Sequence, residues 1–384
     1  MISRNLSRTL IACSLLLAAS AQAFTPPVPE INAKAYYLTD FQSGSELASR
    51  DANMRVEPAS LTKLMTAYVV FKAVKEGRIR LDQQLTVSTK GWKTEGSRMF
   101  LDPKAPARVD DLIKGMIVQS GNDACVTLAE AIAGSEEVFA QMMNQQAQRL
   151  GMTGSHFMNS TGLPDPNHYM TVADLGKIAA AIIRDYPEFY PIYSMKEFTY
   201  NKIRQPNRNL LLYRDPNVDG MKTGHTNSAG FNLVASTHKD GRRLISVVVG
   251  TTGDEVRANE SAKLLNWGTQ FFDTPKVFTA KQPLATQQVY KGAESSVKVG
   301  FVNDQFVTVP KGDGSKVTTQ VKLDEPLIAP IKAGQQLGTI DVLDQGKVIA
   351  QYPAQALENV EEAGFFGRLI DSIKLMFHKW FGGK

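Results

Sequence analysis

Two strand hairpins enclose a block of helices, and that order constrains the fold more than any other feature of the chain. The first hairpin reads from Ala35–Asp40 and Glu46–Arg50, separated by Gln42-Ser43-Gly44-Ser45. The second reads from 231–237 and 244–250, around Lys239-Asp240-Gly241, with 218–221 leading into Lys222-Thr223-Gly224 ahead of it. Between them, helical spacing recurs over 58–76, 109–119, 123–133, 136–150 and 172–183, and a further helix is predicted over 258–272. Pro58 stands near the start of the first helix and Gly77 closes it. Strands that bracket helices in this way predict a mixed α/β domain with an antiparallel sheet.

The texture changes near Asp273-Thr274-Pro275. From 276 to about 354 the chain reads as short strands rich in Val and Thr, punctuated by Asn303-Asp304, Lys311-Gly312-Asp313-Gly314 and Asp344-Gln345-Gly346. A small all-β domain is expected there. At 384 residues the chain is long enough for both domains. The expected division is an export signal over 1–23, a catalytic domain over 24–275, a β-rich domain over 276–358, and a linker with an amphipathic helix over 359–384.

Charge and cysteine content remove several function classes. Arg4 and Arg8 precede an apolar run at 9–19 and then Ala21-Gln22-Ala23, the order of a secretory signal whose apolar core is too short to span a bilayer. Cleavage after Ala23 would leave 41 basic residues against 38 acidic ones, too small an excess for a nucleic-acid partner. Cysteine occurs only at Cys13 and Cys125, which excludes a disulfide framework and any multi-cysteine metal site. The five histidines show no ligand spacing, so neither a metal nor a cofactor is expected.

Three S-x-x-K tetrads occur, at Ser60–Lys63, Ser236–Lys239 and Ser295–Lys298. The second and third fall in strand patterns, where residues three apart point to opposite faces. Ser60 and Lys63 fall in a first helical turn, where they share a face. That pair offers a serine nucleophile beside a lysine whose pKa apolar surroundings and nearby cations would depress. Ser120-Gly121-Asn122 lies between two helices, and Lys222-Thr223-Gly224, the only such tripeptide in the chain, is expected at the end of a strand.

Taken together and in this order, these motifs resemble the signature of penicillin-binding proteins and serine β-lactamases, with Gly121 where the usual pattern has aspartate. His156-Phe157-Met158-Asn159-Ser160-Thr161-Gly162-Leu163 and Lys222-Thr223-Gly224-His225-Thr226 narrow the resemblance to the low-molecular-mass D-alanyl-D-alanine carboxypeptidases. The resemblance implies acylation of Ser60 by a terminal D-Ala-D-Ala, with Lys63 as base and with Ser120 and Lys222 relaying the proton to the departing D-alanine. It implies that Asn122 holds the peptide amide, and that Thr223, His225 and Arg257 take the C-terminal carboxylate. The partners implied are a peptidoglycan stem peptide and β-lactams as acylating inhibitors.

The residues are consistent with those roles. The amide of Ser60 and one from the strand after Gly224 are candidate oxyanion donors, and Lys222, His225 and Arg257 suit an anionic peptide end. Arg208 and Asp174 are read as a supporting ion pair or as two solvated charges. A β-lactamase is the first alternative, but 156–174 contains no glutamate of the kind class A enzymes use for deacylation. A DD-endopeptidase and a wall-binding protein without activity are the others; intact Ser60, Lys63, Ser120, Asn122 and Lys222 argue against the last.

The tail, Phe365–Phe381, places Phe366, Leu369, Ile370, Ile373, Met376, Phe377 and Trp380 on one helical face. Arg368, Lys374, Lys379 and Lys384 stand against the single acid Asp371. The pattern predicts a helix lying in an anionic membrane surface, which would hold the enzyme on the periplasmic face of the inner membrane. The sequence leaves a homodimer open.

Overall fold

In the computed structural model, which describes residues 26–381 and side chains as far as 377, the five long strands of the first domain form one antiparallel sheet. They are β1 (Ala35–Asp40), β2 (Glu46–Arg50), β3 (Val218–Thr226), β4 (Gly230–Lys239) and β5 (Arg242–Thr251), arranged β2-β1-β5-β4-β3. Asp240 and Gly241, both at positive φ (52° and 77°), turn β4 into β5, the geometry whose twist suits a two-residue hairpin. Strand β3 is a sheet edge. Lys222-Thr223-Gly224 therefore lies inside an edge strand, not at its end as the sequence suggested.

Both faces of the sheet are covered. Along β5, Ile245, Val247 and Val249 join one core while Leu244 and Val248 join another, because successive side chains point to opposite faces. Helices α1 (Lys63–Lys75), α2 (Val109–Val118), α3 (Asn122–Ala133), α4 (Glu136–Arg149) and α5 (Val172–Asp185) build the first core. Helix α6 (Asp254–Phe271) closes the second with Leu264, Leu265 and Trp267. Every residue of α1 from Lys63 to Phe71 is buried, so this helix is central rather than one-sided. Truncating Leu64 or Phe71 to alanine would cost about 2–5 kcal/mol.

The helix expected over 58–76 divides in two. Ala59–Thr62 forms a 3₁₀ turn preceded by Pro58, and α1 begins at Lys63. With three residues per turn, Ser60 and Lys63 eclipse one another, which brings them closer to alignment than an α-helix would. Of the other two tetrads, Ser236 lies in β4 and Ser295 immediately before the strand Ser296–Gly300.

The second domain is built on a six-stranded sheet of β6 (Pro283–Tyr290), β7 (Ser296–Gly300), β8 (Val317–Leu323), β9 (Leu327–Ile328), β10 (Gln336–Asp344) and β11 (Lys347–Ala356), ordered β8-β10-β11-β7-β6-β9. It has its own core, including Val299, Phe301, Ile340 and Val342. At the junction Arg242 Nε donates to Asp40 Oδ2 (2.8 Å) and Thr274 Oγ1 (2.9 Å), while Nη1 donates to the carbonyls of Gly268 and Phe272. A cavity of about 730 Å³ lies beside this network.

The tail forms α7 (Phe365–Phe381), held to the β-domain where the Lys291 amide donates to Asp371 Oδ2 at 2.7 Å. Its apolar residues face outward, Phe366 being 78% exposed. Among the described residues no helix is long and apolar enough to cross a membrane. The expected signal at 1–23, Cys13, and the side chains of Lys379, Trp380 and Lys384 lie outside the described residues.

Candidate active site

Ser60 and Lys63 meet as the turn geometry requires: Lys63 Nζ donates to Ser60 Oγ at 2.9 Å. The same nitrogen donates to Asn122 Oδ1 (2.7 Å) and to the Thr161 carbonyl (2.7 Å). Lys63 is 1% exposed, and burial, with the Arg208 guanidinium acting in the same direction, pushes its pKa down to about 8. A neutral amine has two N–H bonds and one lone pair. Asn122 and Thr161 accept the two hydrogens, which leaves the lone pair for the Ser60 proton. The neighbouring Cys125 thiol is pushed up to about 12 by burial and stays neutral.

Ser120 sits at φ 65°, uncommon for a residue with a side chain, between α2 and α3. Its hydroxyl does not cap α3; it accepts from Lys222 Nζ at 3.0 Å instead. Lys222 is also buried, and its pKa lies well below the usual lysine range through burial and then through Lys63 and Arg208. Gly121 explains the departure from S-D-N. A Cβ there would stand 2.9 Å from Asp123 Oδ1 and 3.2 Å from the Met99 amide, leaving no room for an aspartate. Asp123 itself is buried and accepts from the amides of Met99 and Leu101.

A cleft of about 710 Å³ opens over these groups, lined by Ser60, Ser120, Thr223, His225, Arg208 and Arg257 among others. Edge strand β3 forms one wall. It approaches the Ser60 turn so closely that a Cβ on Gly224 would lie 2.8 Å from the Pro58 carbonyl. Arg257, from the first turns of α6, is 5% exposed; burial outweighs the attraction of Asp254 and holds its pKa down to about 10. Its guanidinium lies 5.5 Å over the Phe231 ring. Arg208, whose carbonyl accepts from Arg257 Nη2 at 3.5 Å, also lines the cleft and donates to Ser97 Oγ at 2.6 Å. Among the described residues neither guanidinium has a carboxylate within ion-pair distance. The cleft thus gathers cations around a serine and is built for an anionic ligand.

Asn122 accepts from Lys63 through Oδ1 and donates from Nδ2 to the Glu95 carbonyl at 2.6 Å. Only its second N–H is left for a peptide. Asp174 and Arg208 do not pair. Asp174 lies at the start of α5 and accepts from Gly154, Ser155 and Lys177, whereas Arg208 is a wall of the cleft. Sequence reasoning missed Ser97, which positions Arg208, and the Thr161 carbonyl. A backbone acceptor has no residue signature, but Thr161 lies in the 156–163 segment already singled out. Among the described residues no three His, Cys, Asp or Glu side chains gather as metal ligands do.

Residues 21–253 match the family described as D-alanyl-D-alanine carboxypeptidase, and 272–362 match the penicillin-binding protein 5 C-terminal domain. The chain is 46% identical over 366 residues to D-alanyl-D-alanine carboxypeptidase DacC of Escherichia coli, covering 93% of this chain and 92% of that protein. It is 44% identical over 376 residues to DacA of Haemophilus influenzae, covering 96% of each. The structure of penicillin binding protein 5 from Haemophilus influenzae superposes with a TM-score of 0.84 at 45% identity, covering 88% of this chain and 100% of that one. Penicillin-binding protein D2 from Listeria monocytogenes, in its ampicillin-bound form, superposes at 0.59 with 29% identity over 64% of this chain and 100% of that one.

Proposed function

The chain belongs to the D-alanyl-D-alanine carboxypeptidase family and is a serine-type D-Ala-D-Ala carboxypeptidase; from that premise we propose how its residues divide the work. Ser60 Oγ attacks the carbonyl of the penultimate D-alanine while neutral Lys63 takes the hydroxyl proton. The oxyanion is held by the Ser60 amide and by an amide of β3 just after Gly224. As the C–N bond breaks, Ser120 and Lys222 pass a proton to the departing amine. The C-terminal carboxylate lies against Thr223, His225 and Arg257, with neighbouring Arg208 adding charge. Water then hydrolyses the acyl-serine ester and releases the shortened peptide.

The observation that carries this reading is the contact of one buried lysine with Ser60 and of a second with Ser120, in a cleft that contains two guanidiniums without carboxylate partners. β-Lactams enter the same chemistry, since Ser60 opens their ring amide to form a penicilloyl ester. Among the described residues no carboxylate bonds to Lys63 or Ser60, which supports slow release of that ester and argues against a β-lactamase. The helix α7, with its outward apolar face, supports attachment to a membrane surface; together with the basic–apolar–A-x-A start of the chain, it favours a location on the periplasmic face of the inner membrane. Release of D-alanine from a peptide ending in D-Ala-D-Ala tests the assignment. The wild type should release it, and Ser60→Ala should not.

A further inference from the structure

The nucleophile turn is strained. Ala59 occupies φ 48°, a left-handed conformation that a residue with a Cβ keeps only when its surroundings impose it. No side chain caps the turn. Besides β3, the segment that follows α4 restrains it. Gly162, at φ 83°, packs so tightly on the turn that a Cβ there would overlap the Ala59 carbonyl. Next to it, buried Thr62 meets buried His168, with Thr62 Oγ1 2.9 Å from His168 Nε2.

The imidazole has only one arrangement that satisfies both of its nitrogens. The Met158 amide donates to Nδ1 at 3.3 Å, so Nδ1 is the acceptor and Nε2 carries the hydrogen. Nε2–H therefore points at Thr62 Oγ1. The ring stands edge-on to Phe157 at 5.7 Å, and its own amide is tied to the Asp165 carbonyl. Burial pushes its pKa down to about 4 against the opposing pull of Asp165, so it stays neutral through the working range. Thr62 lies between Ser60 and Lys63 in the sequence, and Thr66, one turn further on, is held to the Ser160 carbonyl of the same segment.

We propose that His168 is a positioning residue for acylation: through its hydrogen bond to Thr62 it holds the strained turn in the register that keeps Ser60 Oγ on Lys63 Nζ. This rests on the reading of Ser60 as nucleophile and assigns no contact between His168 and substrate. A misplacement of the order of 1 Å at a nucleophile is enough to slow its reaction by up to about a hundredfold. A carboxamide can replace the imidazole, since glutamine also offers one donor and one acceptor.

The test measures penicillin acylation of the full-length protein at saturating drug and separately at low drug, so that binding and the acylation step are resolved. In His168→Ala the acylation constant should fall about ten- to a hundredfold, with the non-covalent affinity unchanged. His168→Gln should restore the rate to within about threefold. Thr62→Val, a smaller lesion should His168→Ala fail to fold, should slow acylation in the same way. The double variant should be no slower than the slower single one, because both remove the same bond. Acylation at the wild-type rate in folded His168→Ala or Thr62→Val would overturn the proposal. So would a glutamine variant as slow as alanine, or losses that multiply in the double variant. Adduct formation on Ser60 in the wild type, read in the same experiment, separates failure of this proposal from failure of the nucleophile assignment.

Discussion

Lys63 Nζ stands 2.7 Å from Asn122 Oδ1 and 2.9 Å from Ser60 Oγ, so the asparagine ties the lysine beside the serine. The carboxamide is itself fixed by its bond to the Glu95 carbonyl. One hydrogen of a neutral Lys63 is thereby directed away from Ser60, and the Thr161 carbonyl directs the other. What faces the serine is the lone pair.

Acylation should rise with pH through about 8. The active form of Lys63 is the neutral amine, and burial lowers its pKa from the ordinary 10.5 to about 8. Below that pKa each unit of pH removes about nine-tenths of the base, so the rate falls; above it the rate levels. A pH profile of penicillin acylation checks this, and Lys63→Ala should cost about 10²–10⁴-fold at pH 8.

Asn122→Ala should act as a base-positioning loss. It frees one Lys63 hydrogen and leaves the Glu95 carbonyl without its partner, so acylation should slow more than β-lactam binding weakens. Pre-steady-state kinetics separate the two; equal losses would favour the substrate-holding role that the family resemblance implied.

Gly224→Ala should damage the site without touching a reacting atom. The new methyl would stand 2.8 Å from the Pro58 carbonyl and 3.2 Å from the Leu61 amide, forcing β3 away from the nucleophile turn. The expected cost is about 1–3 kcal/mol of stability, with acylation reduced at least tenfold at temperatures where the variant is folded. Thermal melts alongside acylation rates measure both.

Arg257→Gln should discriminate between substrates. Turnover of peptides ending in a free carboxylate should fall about tenfold or more, as expected when a charge-assisted contact is lost, while C-terminal amides should lose little. Steady-state kinetics on matched acid and amide substrates decide it.

How much of this was legible in the sequence depended on whether the signal was local. Helical spacing placed α2 to α5 within two residues of their ends, and Asp240-Gly241 marked its hairpin because only certain residues tolerate two positive φ angles. The Ser60–Lys63 contact was readable from motif and setting. Lys222-Thr223-Gly224 was expected at a strand end, whereas β3 runs on to Thr226; Gly224 permits a close backbone approach to Pro58, far away in the chain. The same limit hid the partner of Arg208, since a hydrogen bond to Ser97, far away in the chain, leaves no periodicity. The Thr62–His168 bond was hidden for that reason too.

Removing the chain from Gly364 onward should release an active enzyme from membranes. Phe365, Phe366 and Ile370 are all more than half exposed, while the β-domain core draws nothing from α7. Fractionation and D-alanine release should show a soluble, active protein. A truncated form that still sediments with membranes contradicts the attachment reading.

The most direct test is to locate the covalent adduct. After brief exposure to penicillin, mass spectrometry of the digested protein should find one penicilloyl group, on the peptide that contains Ser60, and none in Ser60→Ala. An adduct on any other residue, or labelling that persists in Ser60→Ala, would contradict the account.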